Sequence, residues 1–480
     1  MRKISLKKEV KILIKHTHKI LSLILFLVVL QGCESENLKS KNIPYSGIEP
    51  IRIPLDLPEF EDGSGGLIAY DLNNDDQRDY LITQKNQISV FDSTGKKLWD
   101  KKVDIHVTEK AEAQGLPGLH APGLQVADVD SDQKIEVLFL SSDNKLHIVD
   151  GENGKSKKIV QLNVPKKVQR WEHLVVVNFR GEGDKDLLLQ ATTNTNYRLG
   201  KHLAAYSIEE LIKTEKPKPL WVQNDFHSPA HNGARVVDLD GDGKDEVIGG
   251  NIVNSLGEIV FQLPIKLQNA PHIDSVFIAD VKPDSSGLEV VALEEGGDNR
   301  IFLYNTKELF WQADYKNQEP QNAAVGDFDL EKPGLEIWCR SRYKDQRPFV
   351  FDSTGKLIDI YKIENVAPKG WTTKGVEVIV PIHWTGEPKQ LAAAKERHES
   401  GDVGLFKPLT GEFVDKFQTV ADRLYIADVT GDWREELVVM NHQELRIYQN
   451  PAPNPRPDRP SLWENEYYRR SKLTWNYYSP

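Results

Sequence analysis

The sequence predicts an all-β propeller with eight four-stranded antiparallel blades. An acidic loop between two short apolar runs recurs along the chain, and the seven intervals between its first copy at Asp71 and its last at Asp428 average 51 residues. Each interval has room for about four short strands and their turns. Repeats of roughly 50 residues with about four strands are typical of propeller blades. Seven blades are the alternative, if the degenerate copy near Pro381 belongs to its neighbour.

The composition of the chain and the motifs that it lacks disfavour several classes of function. The chain of 480 residues carries a formal net charge of -11, which disfavours a nucleic-acid binder. Its 15 Tyr, 16 Phe and 10 Trp supply cores and surfaces on which sugars can stack. We find no Gly-rich phosphate loop, nucleophile elbow or Cys/His zinc motif, which disfavours nucleotide enzymes, serine hydrolases and zinc hydrolases.

Residues 1–32 have the features of an export signal. Seven basic residues precede the apolar run Ile20–Leu30, whose 11 residues are too few for a comfortable membrane span. The run leads into Leu-Gln-Gly and then Cys33, which resembles the bacterial lipoprotein cleavage site, where the cysteine becomes lipidated. An ordinary signal peptide is the alternative. We predict an extracytoplasmic protein of a bacterial outer membrane or cell surface that meets the membrane through its lipid anchor only.

The rest of the chain divides into two parts. Residues 33–55 are expected to form a flexible tether, and residues 56–480 a single propeller with a C-terminal closing segment. Cys339 is the only cysteine besides Cys33, so the mature chain has no intramolecular disulfide. Stability must come from core packing and bound metal, and we expect a monomer.

The best copy of the acidic loop predicts a structural Ca²⁺ site. Its acidic side chains alternate along a turn between strand-like runs, as a hard, oxygen-seeking cation requires. Gly241 and Gly243 permit backbone angles that a side chain would resist. In the third copy Arg180 replaces an acid, which predicts a cation supplied by the protein. The predicted ligands are Asp238, Asp240, Asp242, Lys244 (through its carbonyl) and Glu246, and in the second copy Asp128, Asp130, Asp132 and Glu136.

Propeller geometry separates these loops from the expected functional site. If each acidic loop joins the innermost strand to the second strand, all copies lie on one face. The entrances to the innermost strands and the loops after the second strands then lie on the other face. Counting back seven or eight positions from three acidic loops finds a histidine each time, namely His120, His231 and His272. We interpret them as a functional cluster, and the alternative is that they are structural histidines.

The loops after the second strands add Tyr, Arg and further His side chains on that second face. Arginine can hold a carboxylate or sulfate by paired hydrogen bonds, so arginines in several of these loops favour an anionic ligand. A solvated charged rim is the alternative. These residues are Tyr197, Arg198, His202, Arg340, Arg342, Arg397 and His398.

The combination of His, Tyr and Arg suits β-elimination from a uronic acid. A base removes the proton beside the carboxylate, a cationic group stabilises the developing charge, and an acid assists the leaving oxygen. No acidic pair of the glycosidase type stands out from the metal loops. The catalytic candidates are His120, Tyr197 and His231, and the substrate-binding candidates are Arg198, His202, His272, Arg340, Arg342, Arg397 and His398.

Several stretches resemble the propeller polysaccharide lyases, chiefly rhamnogalacturonan lyases and more loosely ulvan lyases. They are residues 234–249, 272–294, 323–338 and 427–448, and the tail from Glu466. The resemblance implies calcium in the acidic loops and elimination on a uronic-acid polysaccharide. The ulvan branch implies roles for His120, Tyr197 and Arg198. The first repeats depart from the rhamnogalacturonan pattern, since they carry fewer acids.

We therefore predict a lyase that acts on an anionic polysaccharide or oligosaccharide, rhamnose-rich or sulfated, of the ulvan or rhamnogalacturonan type. A related propeller fold also serves enzymes that act at chain ends. A glycoside hydrolase or uronate dehydratase acting on the same oligosaccharides is therefore one alternative. A non-catalytic glycan-binding propeller is the other, because calcium-loop repeats also occur in integrin-like proteins.

Overall fold

The structure is a computed structural model of the chain. It describes residues 43–57, 66–84, 86–105, 123–166, 168–192, 199–230, 233–265, 272–314, 319–341, 347–368, 371, 376–396, 400–421, 423–441 and 443–473. Among these residues no helix is long and apolar enough to span a bilayer.

Eight antiparallel four-stranded sheets form the eight blades of a propeller. The innermost strands of neighbouring blades contact one another around a central channel. The degenerate repeat near Pro381 has a sheet of its own, which confirms eight blades. Blade 1 contains β2 (Leu67–Tyr70), β3 (Asp79–Gln84), β4 (Gln87–Phe91) and β5 (Lys97–Lys102); blade 2 contains β6 (Leu124–Ala127), β7 (Glu136–Leu140), β8 (Lys145–Asp150) and β9 (Ser156–Gln161); blade 3 contains β10 (Arg170–Val177), β11 (Asp186–Thr192), β12 (Leu199–Ser207) and β13 (Trp221–Gln223); blade 4 contains β14 (Arg235–Val237), β15 (Glu246–Ile248), β16 (Asn251–Val253) and β17 (Ile259–Gln262).

The second half of the chain builds the other four blades on the same plan. Blade 5 contains β18 (His272–Ala279), β19 (Glu289–Glu295), β20 (Arg300–Tyr304) and β21 (Leu309–Asp314); blade 6 contains β22 (Pro320–Gly326), β23 (Glu336–Ser341), β24 (Phe349–Phe351) and β25 (Leu357–Ile360); blade 7 contains β26 (Val376–Ile382), β27 (Leu391–Glu396), β28 (Val403–Lys407) and β29 (Glu412–Phe417); blade 8 contains β30 (Arg423–Ala427), β31 (Glu436–Met440), β32 (Glu444–Tyr448) and β1 (Ile51–Pro54). Short helices are α1 (Ile208–Lys213), α2 (Ile363–Val366), a 3-10 turn (Leu462–Glu464) and α3 (Glu466–Leu473).

Each acidic loop joins an innermost strand to the second strand, as the sequence predicts. We call the face that carries these loops the acidic face, and the other face, where innermost strands begin and second strands end, the opposite face. Two positions in a loop adopt positive φ, and in blade 4 they are Gly241 (80°) and Gly243 (84°). Blade 2 accepts the same angles at Ser131 and Gln133, so glycine favours this turn but is not essential to it.

The first and last strands of the propeller close the ring within one sheet. β1 pairs antiparallel with β32, with Ile51 opposite Ile447 and Ile53 opposite Leu445. The N-terminal segment before β1 is also docked, since the Tyr45 hydroxyl donates to Asp402 at 2.8 Å. The prediction of a flexible tether through residue 55 is therefore wrong for residues 43–55. The run Ile51–Pro54 has only four residues, too few to identify a strand whose partner lies almost 400 residues away in the sequence.

Helix α3 enters the channel and contacts the innermost strands of several blades. Gln125 of blade 2 donates to the Leu473 carbonyl at 3.0 Å, and Tyr425 of blade 8 donates to the Lys472 carbonyl at 3.1 Å. Arg470 pairs with Asp184 and Asp245 at 2.8 Å each, and it donates to the Val176 carbonyl. The helix therefore ties blades 2, 3, 4 and 8 together from inside the ring.

Tryptophans on outermost strands connect neighbouring blades at the rim. Trp99 of blade 1 donates its indole N–H to the Gly151 carbonyl of blade 2 at 2.7 Å. Its ring covers Gly154, where an added Cβ would lie 2.7 Å from the indole. Trp221 and Trp311 make the corresponding contacts with blades 4 and 6. Two side chains of one strand, the exposed Ile51 and the buried Ile53, provide a test of how much the ring closure stabilises the fold.

We predict that Ile53→Ala lowers the free energy of unfolding by about 2–5 kcal/mol, because it leaves a cavity in the closure strand. Ile53 is 1% exposed, whereas Ile51 on the same strand is 46% exposed. The matched control Ile51→Ala should change stability by no more than about 0.5 kcal/mol. Urea unfolding followed by tryptophan fluorescence measures both variants. Equal losses in the two variants would contradict a closure that depends on the buried side chain of Ile53.

Candidate functional site

The acidic loop of blade 4 brings three predicted metal ligands together. Carboxylate oxygens of Asp238, Asp240 and Glu246 lie within 4.8 Å of one another. Asp238 also accepts the backbone N–H groups of Gly241 and Gly243 at 2.8 and 2.9 Å, which holds the turn in place. These oxygens fit a hard cation such as Ca²⁺.

The other two predicted ligands of this loop contact each other. The Asp242 carboxylate accepts the Lys244 backbone N–H at 2.8 Å. Burial, reinforced by Asp240, Asp242 and Asp238, raises the pKa of Glu246 to about 8. Ionised Glu246 is therefore costly in this loop unless positive charge compensates it.

The acidic loop of blade 2 already holds a positive charge from the protein. Asp128, Asp130 and Glu136 cluster as their counterparts in blade 4 do. The Lys157 ammonium lies among the acids of this loop, 2.8 Å from Asp130, 3.2 Å from Asp132 and 2.6 Å from Glu136. Burial raises the pKa of Glu136, and Lys157 opposes that rise.

Arg180 supplies a positive charge to the acidic loop of blade 3. Its guanidinium lies 2.9 Å from Glu182 and 2.8 Å from Asp186. The structure thereby confirms the prediction of a protein-supplied cation in the third loop.

On the opposite face, blade 5 presents a mixed cluster of His272, Asp274 and Glu295. His272 begins β18, Glu295 ends the paired strand β19, and the two residues are register partners. The His272 Nε2 lies 3.3 Å from the Glu295 carboxylate, and the possible ligand atoms of all three residues lie within 4.8 Å. Asp274 falls at a register shift between Ile273 and Ser275. One imidazole and two carboxylates could hold a divalent cation, or the carboxylates could orient the imidazole for proton transfer.

Three buried basic side chains lie at the same end of the next three blades. Arg340 lies one residue before the end of β23, Lys395 one residue before the end of β27, and Arg423 begins β30. All three are at most 5% exposed. We call them the basic arc. Lys and Arg side chains are rarely this buried unless they are paired, and Arg is well suited to a carboxylate.

Acidic side chains near the basic arc and the blade 5 cluster have contacts of their own. Glu294 is held by the Arg300 guanidinium through two hydrogen bonds of 2.7 Å. Glu396 accepts the backbone N–H groups of Ser400 and Gly401 at 2.6 and 3.0 Å. Both carboxylates thus stabilise the loops after the second strands.

His202 lies away from the channel. It is on β12, the third strand of blade 3, where its ring packs 5.5 Å from Trp171. Its Nδ1 lies 2.8 Å from the Asn224 side-chain oxygen. These contacts favour a packing role.

The structure describes only some of the predicted functional residues. His272 and Arg340 lie on the opposite face as predicted. The catalytic candidates and most of the arginines fall outside the described residues, as does the lipidation site. They are Cys33, His120, Tyr197, Arg198, His231, Arg342, Arg397 and His398.

Sequence reasoning did not assign a role to Asp274, Glu295, Lys395 or Lys157. A signal existed for Glu295 and Lys395, because Glu295 ends a second strand and Lys395, like Arg340 in blade 6, lies one residue before the end of one. No comparable signal marks Lys157, which follows Glu136 by 21 residues and reaches the loop from the outermost strand.

The closed ring of eight four-stranded sheets defines the class of protein, an eight-bladed β-propeller. The family is more specific. The model described as "Rhamnogalacturonan lyase family 11, C-terminal domain" matches residues 221–478, more than half of the chain. The chain belongs to rhamnogalacturonan lyase family 11.

Two proteins of Bacillus subtilis (strain 168) are similar in sequence. The rhamnogalacturonan endolyase YesW is 26% identical over 240 residues, which cover 48% of this chain and 34% of YesW. The rhamnogalacturonan exolyase YesX is 24% identical over 395 residues, which cover 75% of this chain and 60% of YesX. The chain thus spans between a third and three fifths of the length of these relatives.

Two solved structures share the fold. The crystal structure of YesW superposes with a TM-score of 0.63 at 18% identity, over 89% of this chain and 81% of that one. The V. cholerae biofilm matrix protein Bap1 gives a TM-score of 0.54 at 11% identity, over 86% of this chain and 92% of that one.

A buried histidine of blade 3 gives a prediction for acid stability. His173 is enclosed, with Nε2 3.1 Å from the Ala234 carbonyl, and burial lowers its pKa to about 4 from the usual 6.5. Between those pH values the unfolded chain binds more protons at this residue, so stability falls as the pH drops. When the pH is lowered from 8 to 5, we predict that the free energy of unfolding of His173→Gln falls by about 2 kcal/mol less than that of the native chain. Urea unfolding at both pH values measures this, and parallel losses would contradict a neutral buried His173.

Proposed function

We propose that the protein is a polysaccharide lyase that cleaves a rhamnogalacturonan-type backbone by β-elimination. Family membership over residues 221–478 carries this proposal. The basic arc supports it, because a galacturonate carboxylate needs compensating positive charge when the neighbouring proton is removed. The same arc supports rhamnogalacturonan over a neutral glycan. A sulfated, ulvan-type glycan has the same charge and is the second substrate to test.

The basic arc takes the role of carboxylate clamp in this proposal. Arg340 and Arg423 bind the uronate carboxylate, and Lys395 between their blades adds positive charge where the enolate-like charge develops. The proton acceptor is a histidine at the channel mouth. His272 is the described candidate, since Glu295 at 3.3 Å can orient its ring, and His120 and His231 remain candidates from the sequence. Tyr197 is the candidate from the sequence for an additional acid or base.

The blade 5 cluster gives His272 a second possible role. His272, Asp274 and Glu295 would hold a divalent cation, which when bound would supply positive charge for the substrate carboxylate. We also propose that Asp238, Asp240 and Glu246 hold a structural Ca²⁺ on the acidic face, because their oxygens converge within 4.8 Å.

We retain the proposal of a lipid-anchored, extracytoplasmic monomer. β1 completes blade 8 within one chain, so no second copy is needed to close the ring. Residues 43–50 dock beside blade 7, where the Ser46 N–H donates to the Lys416 carbonyl at 2.7 Å. Only nine residues separate Ile43 from Cys33, so an anchor at Cys33 would hold blade 7 near the membrane. Fatty-acid labelling tests the anchor, and label retained in Cys33→Ser would reject it.

The lyase proposal predicts a large loss of activity when the basic arc is broken. Arg340→Met should lower kcat/KM on rhamnogalacturonan by about 100-fold or more, because it removes charge stabilisation from the transition state. The ultraviolet absorbance of the unsaturated uronate product measures the rate. Arg52→Met is the matched control, since Arg52 is on the outermost strand of blade 8 with a side chain 49% exposed. Its activity should be unchanged.

Product analysis separates the alternatives. If only ulvan gave an unsaturated product, rhamnogalacturonan would be rejected as the substrate. A product mass increased by one water would indicate a hydrolase. Binding measured by calorimetry without any turnover would favour a glycan-binding module. A rapid fall in viscosity would indicate cleavage within the chain, as opposed to cleavage at its ends.

A further inference from the structure

The ammonium of Lys157 occupies the position that a metal ion would take in the acidic loop of blade 2. Three carboxylates contact it, at 2.6 Å from Glu136, 2.8 Å from Asp130 and 3.2 Å from Asp132. Burial alone would lower the pKa of Lys157, but the hydrogen bonds that its ammonium donates to these carboxylates outweigh burial and raise that pKa. A charged ammonium in contact with three carboxylates stabilises their negative charge, as a bound metal ion would.

The sheet itself fixes the ammonium in place. Lys157 lies on β9, the outermost strand of the same blade, at the point where the register with β8 shifts between Ile148 and Val149. Such an irregularity can re-aim a side chain. Lys157 is therefore held by a hydrogen-bonded strand and does not belong to a loop.

Most of the other acidic loops have a basic partner too. Arg180 in blade 3 pairs with Glu182 and Asp186. The corresponding pairs in blades 5, 6 and 8 are Lys282–Asp284, Lys332–Asp329 and Arg434–Asp432. Among the residues that the structure describes, no Lys or Arg forms an ion pair with Asp238, Asp240 or Glu246 of blade 4.

We propose that Lys157 replaces a divalent cation in blade 2, so that this loop is a latent metal site that opens when the ammonium is removed. In the native chain the acidic loop of blade 2 binds no metal, whereas that of blade 4 does. The ligands of the latent site are Asp128, Asp130, Asp132 and Glu136. The inference concerns metal binding and does not depend on the lyase activity.

Counting bound ions tests the proposal. The full chain is stripped with a chelator and titrated with calcium, and bound ions are counted by calorimetry and native mass spectrometry. Lys157→Gln should bind one more calcium than the native chain, and Lys157→Gln combined with Asp130→Asn should return to the native count. Lys155→Gln is the matched control, because this exposed lysine carries the same charge and should leave the count unchanged. An unchanged count in folded Lys157→Gln would overturn the proposal.

A second pair of variants keeps the proposal testable if Lys157→Gln does not fold. With Lys157 intact, Asp130→Asn should bind as many calcium ions as the native chain. Asp240→Asn in blade 4 should bind one fewer. Loss of a calcium ion in Asp130→Asn would show that blade 2 binds metal beside Lys157 and would overturn the replacement.

Discussion

One hydrogen bond, repeated in nearly every blade, connects the loop after the innermost strand to the start of the second strand. A carboxylate at the first position of the second strand accepts the backbone N–H of the second loop residue. In blades 1, 2 and 4 the pairs are Leu72 to Asp79 (2.8 Å), Val129 to Glu136 (3.0 Å) and Leu239 to Glu246 (3.0 Å). The same bond recurs at Glu289, Glu336 and Glu436, and in blade 3 Asp186 accepts the N–H of the third loop residue, Arg180, at 3.1 Å. Because these carboxylates are buried, an acidic loop also needs positive charge, which explains why Lys157 or Arg180 enters some loops and why blade 4 suits a metal.

This constraint fixes where chemistry can occur. The loops, the tryptophan contacts and helix α3 hold the acidic face and the channel interior, so the ends of the strands on the opposite face are free to carry functional groups. Blade 5 places an imidazole and two carboxylates there, and blades 6 to 8 place Arg340, Lys395 and Arg423. A rigid scaffold with variable residues at its strand ends is the arrangement in which binding sites commonly evolve.

The fold was predictable because the acidic loop is a local signal that repeats. Its copies predicted eight units, the loop positions and the two faces, and they placed His272 and Arg340 correctly on the opposite face. The ring closure and Lys157 were not predictable in the same way, since β1 and β32 pair across almost 400 residues and Lys157 reaches Glu136 across the sheet. Asp79 also escaped detection in blade 1, because its loop has Asn73 in place of an acid and lacks the pattern of the later copies. Local patterns predict turns and faces, whereas side-chain partners far apart in the chain depend on the assembled ring.

We propose that a uronate binds at the opposite face between the basic arc and the blade 5 cluster. The most direct measurement is a crystal structure of the chain with a rhamnogalacturonan oligosaccharide. We expect a galacturonate carboxylate within hydrogen-bonding distance of Arg340 or Arg423, with the proton to be removed facing a histidine at the channel mouth. An oligosaccharide bound on the acidic face or along the outer strands, with the basic arc untouched, would contradict it.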